Sequence, residues 1–136
     1  MWSPGGSTTQ SISVSPGTTT SYSVVYSTGG CTSGASSLAT VTVNSLPTAN
    51  AGSGANLTCT NPSGSLSGSG GGTYAWSGPG ITGGGTTANP TVNAPGTYSL
   101  NVTVSGCTST VSTVAVTQNT TPPTPTASNS TNLLTW

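Results

Sequence analysis

Apolar and polar residues alternate one by one along several short stretches of the chain, the period of a strand with one face buried. Ile12 and Val14 stand between Ser11, Ser13 and Ser15, while Tyr22, Val24 and Tyr26 share one face, with Ser21 and Ser23 on the other. Ala39, Val41 and Val43 alternate with Thr40 and Thr42. The longest run sets Tyr98, Leu100, Val102 and Val104 against Ser99, Asn101 and Thr103, and Val114 and Val116 close the series before Gln118. Each run predicts a β-strand. Between them lie turn signals: Ser15-Pro16-Gly17, Thr28-Gly29-Gly30, Gly70 to Gly72, Gly78-Pro79-Gly80, Gly83 to Gly85 and Ala94-Pro95-Gly96. No window of helical length carries apolar residues at three-and-four spacing. Many short strands punctuated by Gly and Pro predict an all-β fold, a sandwich or a barrel. The alternation also predicts a core of Trp76, Tyr98, Leu100 and Val102, with Tyr22 and Val24 in the same role earlier in the chain.

The chain repeats itself. Trp2-Ser3-Pro4-Gly5-Gly6 is similar to Trp76-Ser77-Gly78-Pro79-Gly80, and Thr20-Ser21-Tyr22-Ser23 to Gly96-Thr97-Tyr98-Ser99. Cys31 follows Tyr22 by nine positions, as Cys107 follows Tyr98, and both lie in the setting Gly-Cys-Thr-Ser. Two copies predict homologous domains in tandem: residues 1–46 as the C-terminal part of one repeat and 47–118 as a complete one. Residues 119–136 then form a Pro/Thr linker followed by the first strands of a third repeat or a donor-strand tail. The prolines around Thr121-Pro122-Pro123-Thr124-Pro125 favour an extended spacer. After it, Pro125-Thr126-Ala127-Ser128-Asn129 echoes Pro47-Thr48-Ala49-Asn50, and Leu134-Thr135-Trp136 echoes Leu57-Thr58-Cys59.

Composition narrows the chemistry. The 136 residues include no Lys, Arg, Asp, Glu or His, so no side chain is suited to general acid–base catalysis near neutral pH. The abundant Ser and Thr hydroxyls have no base to activate them. Cys31, Cys59 and Cys107 have no cationic side chain to stabilise a thiolate and fall short of the four Cys or His ligands of a structural zinc site. The sequence therefore predicts no enzyme, no cofactor and no metal. Without Lys and Arg there is no basis for nucleic-acid binding or for attachment to anionic lipid, and no run of about twenty apolar residues spans a bilayer. Residues 1–6 carry neither a basic segment nor an apolar one, so no signal peptide is expected and the chain reads as mature or internal to a longer one.

A set of motifs resembles a known family. Leu57-Thr58-Cys59-Thr60-Asn61-Pro62-Ser63, Tyr74-Ala75-Trp76-Ser77-Gly78-Pro79-Gly80, Asn89-Pro90-Thr91-Val92, Ala94-Pro95-Gly96-Thr97-Tyr98, Gly106-Cys107-Thr108-Ser109 and Val114-Ala115-Val116-Thr117-Gln118 are similar to the PKD-like and immunoglobulin-like repeats of secreted Bacteroidota adhesins and gliding-associated surface proteins. The resemblance implies tandem immunoglobulin-like (PKD-like) β-sandwich domains exported to the cell surface. Family members carry Asp where this chain reads Ser53 and Ser105, so no carboxylate calcium site carries over. The order Cys59, Trp76, Cys107 follows the general pattern of sandwiches whose cross-sheet disulfide packs on an indole. It implies a Cys59–Cys107 bond worth about 3–4 kcal/mol and leaves Cys31 unpaired or available to another chain.

These readings predict a non-catalytic extracellular structural repeat, a spacer or subunit of a surface stalk or filament. Its partners are expected to be copies of itself or neighbouring repeats of the same array, joined head to tail by strand complementation. The alternative is an adhesin module that holds carbohydrate or another surface through the rings of Trp2, Tyr22, Tyr26, Tyr74, Trp76, Tyr98 or Trp136. That reading needs several exposed, coplanar rings. Sequons at Asn56, Asn101, Asn119 and Asn129 permit glycosylation.

Overall fold

The computed structural model describes residues 1–122, 124–125, 128–130 and 133–135, the last two segments as backbone only. The described residues form strands and no helix, and the chain divides into two compact units, Met1–Ser45 and Leu46–Trp136.

The first unit contains β1 (Trp2–Ser3), β2 (Thr20–Val24), β3 (Ser27–Thr28), β4 (Cys31–Thr32) and β5 (Ala39–Val41). β1, β2 and β5 form an antiparallel sheet with β2 in the middle, Trp2 opposite Val24 and Tyr22 opposite Ala39. β3 and β4 form a hairpin turned by Gly29 and Gly30, with φ of 56° and 79°. Positive φ at both turn positions gives the twist that antiparallel strands need, and glycine adopts it without a Cβ clash. None of the residues in this unit is buried; Trp2, Tyr22 and Val24 are half-buried, and Tyr26 and Leu38 are exposed. Tyr22 and Val24 therefore do not sit in the closed core that their alternation predicts: the unit has one three-stranded sheet and one hairpin, and none of its residues is buried. The strand expected around Ile12 and Val14 does not form either.

The second unit contains β6 (Asn56–Thr58), β7 (Gly64–Ser65), β8 (Thr73–Ser77), β9 (Ile81–Gly83), β10 (Thr91–Val92), β11 (Gly96–Val104), β12 (Cys107–Thr108), β13 (Ser112–Asn119), β14 (Ser128–Ser130) and β15 (Leu133–Thr135). The nine-residue β11 is the axis of a five-stranded sheet. β8 pairs along one edge of it, with Trp76 opposite Leu100, and β13 along the other, with Tyr98 opposite Val114. β6 then runs parallel to β13, Leu57 beside Gln118. A separate three-stranded sheet has the order β7-β10-β9, and Asn50 and Ser69 exchange backbone hydrogen bonds of 3.0 and 2.8 Å. β14 and β15 pair antiparallel, Asn129 opposite Leu134.

Alternation along β11 and β13 drives one face inward. Tyr98, Leu100, Val102, Val114 and Val116 join Leu57, Trp76, Ala51, Leu66 and Val92 in one apolar cluster. Each of its larger members contributes about 1.5–3 kcal/mol on burial. The polar ends of the two buried rings are satisfied: Tyr98 Oη donates to the Ala94 carbonyl at 2.8 Å, and Trp76 Nε1 to the Thr87 carbonyl at 3.0 Å. The Tyr98 ring lies so close to Gly78 that a Cβ there would approach Cδ1 to 2.3 Å. The unit is all-β, and its several sheets are consistent with a β-sandwich.

Candidate interaction surface

The same small sheet is built twice. Trp2 opposes Val24, two positions beyond Tyr22, and Trp76 opposes Leu100, two positions beyond Tyr98. Tyr22 opposes Ala39 as Tyr98 opposes Val114, and Thr28 opposes Cys31 as Val104 opposes Cys107. The hydrogen bonds repeat as well. Ser33 Oγ accepts from the Tyr26 amide at 3.0 Å, and Ser109 Oγ from the Val102 amide at 3.0 Å. Both indoles donate to a backbone carbonyl, that of Thr9 at 2.9 Å in the first unit. Hydroxyls bridge the two hairpins at 2.9 Å (Ser27 and Thr32) and 3.0 Å (Thr103 and Thr108).

What differs is the cover. In the second unit the sheet face is closed by Leu66 and Val92 from the other sheet and by Leu57 from β6. In the first unit β5 is an edge strand, Val41 and Val43 are each 37 % exposed, and Trp2, Tyr22 and Val24 stay half-buried. This open, charge-free sheet is the largest departure from a closed domain in the first unit, and it is the candidate interaction surface. Its exposed edge at Ala39–Val41 carries no sequence signal of its own.

The cysteines correct the expectation drawn from the family resemblance. Cys59 follows β6 beside the Gly96 end of β11, whereas Cys107 pairs with Val104 at the other end. Gly96 and Val104 alone are separated by about 26 Å of extended strand, and Cys59 lies beyond that span. A disulfide needs Cα atoms within roughly 7 Å, so Cys59 and Cys107 are not joined. Cys59 and Cys31 are exposed thiols. The indole of Trp76 packs on Gly68 and Leu100 rather than on a cystine.

The rings do not assemble into a platform. Trp76 is buried, as is Tyr98; Trp2, Tyr22 and Tyr74 are half-buried, and Tyr26 is the one exposed ring among the described residues. Trp136 lies outside them. A depression of about 450 Å³ borders Tyr26, lined also by Met1, Thr9, Gln10 and Val24; a second, of about 360 Å³, is lined by Pro4, Ser7, Thr9, Ile12 and Val14. Neither contains a side chain able to exchange protons near neutral pH. Of the sequon asparagines, Asn56 and Asn119 are exposed, and Asn101 is tied by Nδ2 to the Ser109 carbonyl at 3.1 Å. The side chain of Asn129 is not described.

Compared with known proteins, the chain matches no protein-family model and no curated protein at significant similarity.

Proposed function

We propose that the chain is a non-catalytic structural repeat, a spacer or subunit of an extracellular stalk or filament, built from immunoglobulin-like (PKD-like) β-sandwiches. The observation that carries this reading is the duplicated sheet, in which Trp, Tyr and the Gly-Cys hairpin recur in one register in both units. Repetition of one unit along a chain serves length and spacing. Two further features support immunoglobulin-like topology: the parallel pairing of the early strand β6 with the late strand β13, and the Tyr98 hydroxyl returned to the backbone four residues upstream, a tyrosine-corner arrangement. The absence of every charged side chain supports a passive role. The surface location rests on the motif resemblance.

The measurement is small-angle scattering on the chain and on its head-to-tail concatemers. Maximum dimension should rise in proportion to copy number; concatemers that stay compact would remove the spacer reading. Antibody labelling of intact source cells checks location, and labelling that requires permeabilised cells would overturn it. An adhesin reading has one observation in its favour, the exposed Tyr26 beside a depression that includes Gln10. Glycan-array binding lost on Tyr26→Ala would support it.

A further inference from the structure

We infer that Thr121 and Thr124 are acceptors of O-linked sugar, which hydrates a surface that has no charge of its own; the inference rests on the structural-repeat reading and names a modification of the segment beyond β13. Along the chain, four hydroxyl residues stand directly before a proline: Ser3, Ser15, Thr121 and Thr124. Ser3 is held in β1 by its pairing with Ser23, and Ser15 has no second such site near it. Thr121 and Thr124 lie close together, each followed at once by proline. β13 ends at Asn119, where the Thr121 amide donates to Asn119 Oδ1 at 3.1 Å and turns the chain out of its ladder. Pro122 has no N–H to offer a ladder, and it confines Thr121 before it to extended conformations. Pro125 does the same to Thr124. Thr120, Thr121, Pro122, Thr124 and Pro125 are all exposed and belong to no strand.

Hydroxyls in the sheets are engaged with one another: Ser21 with Thr40 at 2.8 Å, Ser27 with Thr32 at 2.9 Å, Thr103 with Thr108 at 3.0 Å. The Oγ1 atoms of Thr121 and Thr124 have no such partner among the described residues. A transferase takes a free hydroxyl on an accessible, extended backbone, and a proline-stiffened segment enters such a cleft at low entropic cost. Thr-rich segments with proline have the composition of O-glycosylated stalks. The second, independent observation is the missing charge. With a net charge of zero from no charged side chains, copies do not repel one another, and the edge of β5 lacks the lysines that ordinarily guard an exposed strand. Tyr26, Leu38, Leu46 and Val111 add exposed apolar surface. Sugar supplies hydration and bulk without charge. The donor is a sugar activated through a diphosphate. A bond forms between Thr Oγ1 and the anomeric carbon as the bond from that carbon to the diphosphate oxygen breaks. The diphosphate leaves with the electron pair, and the hydroxyl proton passes to a base of the transferase.

Electron-transfer fragmentation of the chain purified from its source cells locates the sugar. Sugar on Thr121 or Thr124 is expected. An unmodified segment, sugar confined to strand residues or to Thr120, or sugar that an amidase releases from Asn119 overturns the inference. The double variant Thr121→Val with Thr124→Val, made in the same cells, should lose the sugar and precipitate at a lower concentration than the wild-type chain. Both substitutions lie outside every strand, and the urea midpoint of the second unit should stay unchanged. A variant as soluble as wild type overturns the hydrating role. Absence of sugar leaves the spacer reading standing, because that reading is judged by the dimensions of covalent concatemers; compact concatemers would remove the spacer reading and leave the sugar assignment to the fragment masses.

Discussion

Val102 and Val24 lie on the inward faces of equivalent strands, yet Val102 is fully buried and Val24 only half-buried. Truncating each to Ala removes the same two methyl groups, so the comparison isolates cover from chemistry. At Val102 the transfer term is about 1.6 kcal/mol, at roughly 0.8 kcal/mol per methyl. The hole left against Gly70, whose Cα hydrogens meet the Val102 methyls, cannot collapse fully, and the cavity raises the loss to about 2–3 kcal/mol. At Val24 no closed cavity forms, because the side chain is only half-buried beside a surface depression, and the loss stays at or below about 0.8 kcal/mol. Native-state hydrogen exchange followed by NMR reads both sites separately, through the amides of β11 and of β2. A Val24→Ala loss equal to that of Val102→Ala would mean that the first unit is covered in solution, refuting the reasoning from the open sheet.

Four other outcomes are expected. Tyr98→Phe should lower the stability of the second unit by about 1–2 kcal/mol in urea unfolding, since the Ala94 carbonyl loses its buried partner. The urea midpoint should not move between about pH 4.5 and 7, because no side-chain carboxylate or imidazole is present to bind protons differently in the folded and unfolded chain; a slope there would contradict the composition argument. Chymotrypsin should cut first after Tyr26 and Leu38, 68 % and 69 % exposed, before it reaches Tyr98 or Leu100, as read by mass spectrometry of early fragments. Alkylation of the unfolded chain without reductant should add three labels, and a single label would restore the Cys59–Cys107 bond.

The parts of the fold that were legible are those where one residue's environment follows from its neighbours in sequence. Tyr98, Leu100 and Val102 alternate with polar residues because β11 is flanked on both edges and covered on one face, and the pattern records that. Ile12 and Val14 alternate as cleanly without forming a strand. Val92, by contrast, is buried in β10 because β7 and β9 pair with it; Ile12 and Val14 have no described strand beside them, and a strand without a neighbour has no ladder. The half-burial of Tyr22 and Val24 was hidden too, since alternation reports which side is apolar and not how far it is covered. The cysteine pairing was not legible because order along the chain says which strands carry Cys59 and Cys107 but not at which ends. The open edge of β5 was hidden for a related reason: edge and interior strands share one alternation.

Tension carried along the chain enters the second unit near β6 and leaves it after β13. These strands are parallel neighbours, so a pull draws them in opposite directions along their shared ladder, in shear. The pairings of Asn56, Leu57 and Thr58 with Thr117, Gln118 and Asn119 are then strained together, along with the 3.2 Å bond from Thr117 Oγ1 to Asn56 Oδ1. A hairpin opened from its ends, such as β3 with β4, yields one rung at a time. The edge of β5 has no parallel neighbour among the described residues to share the load. The first unit would therefore extend at lower force than the second.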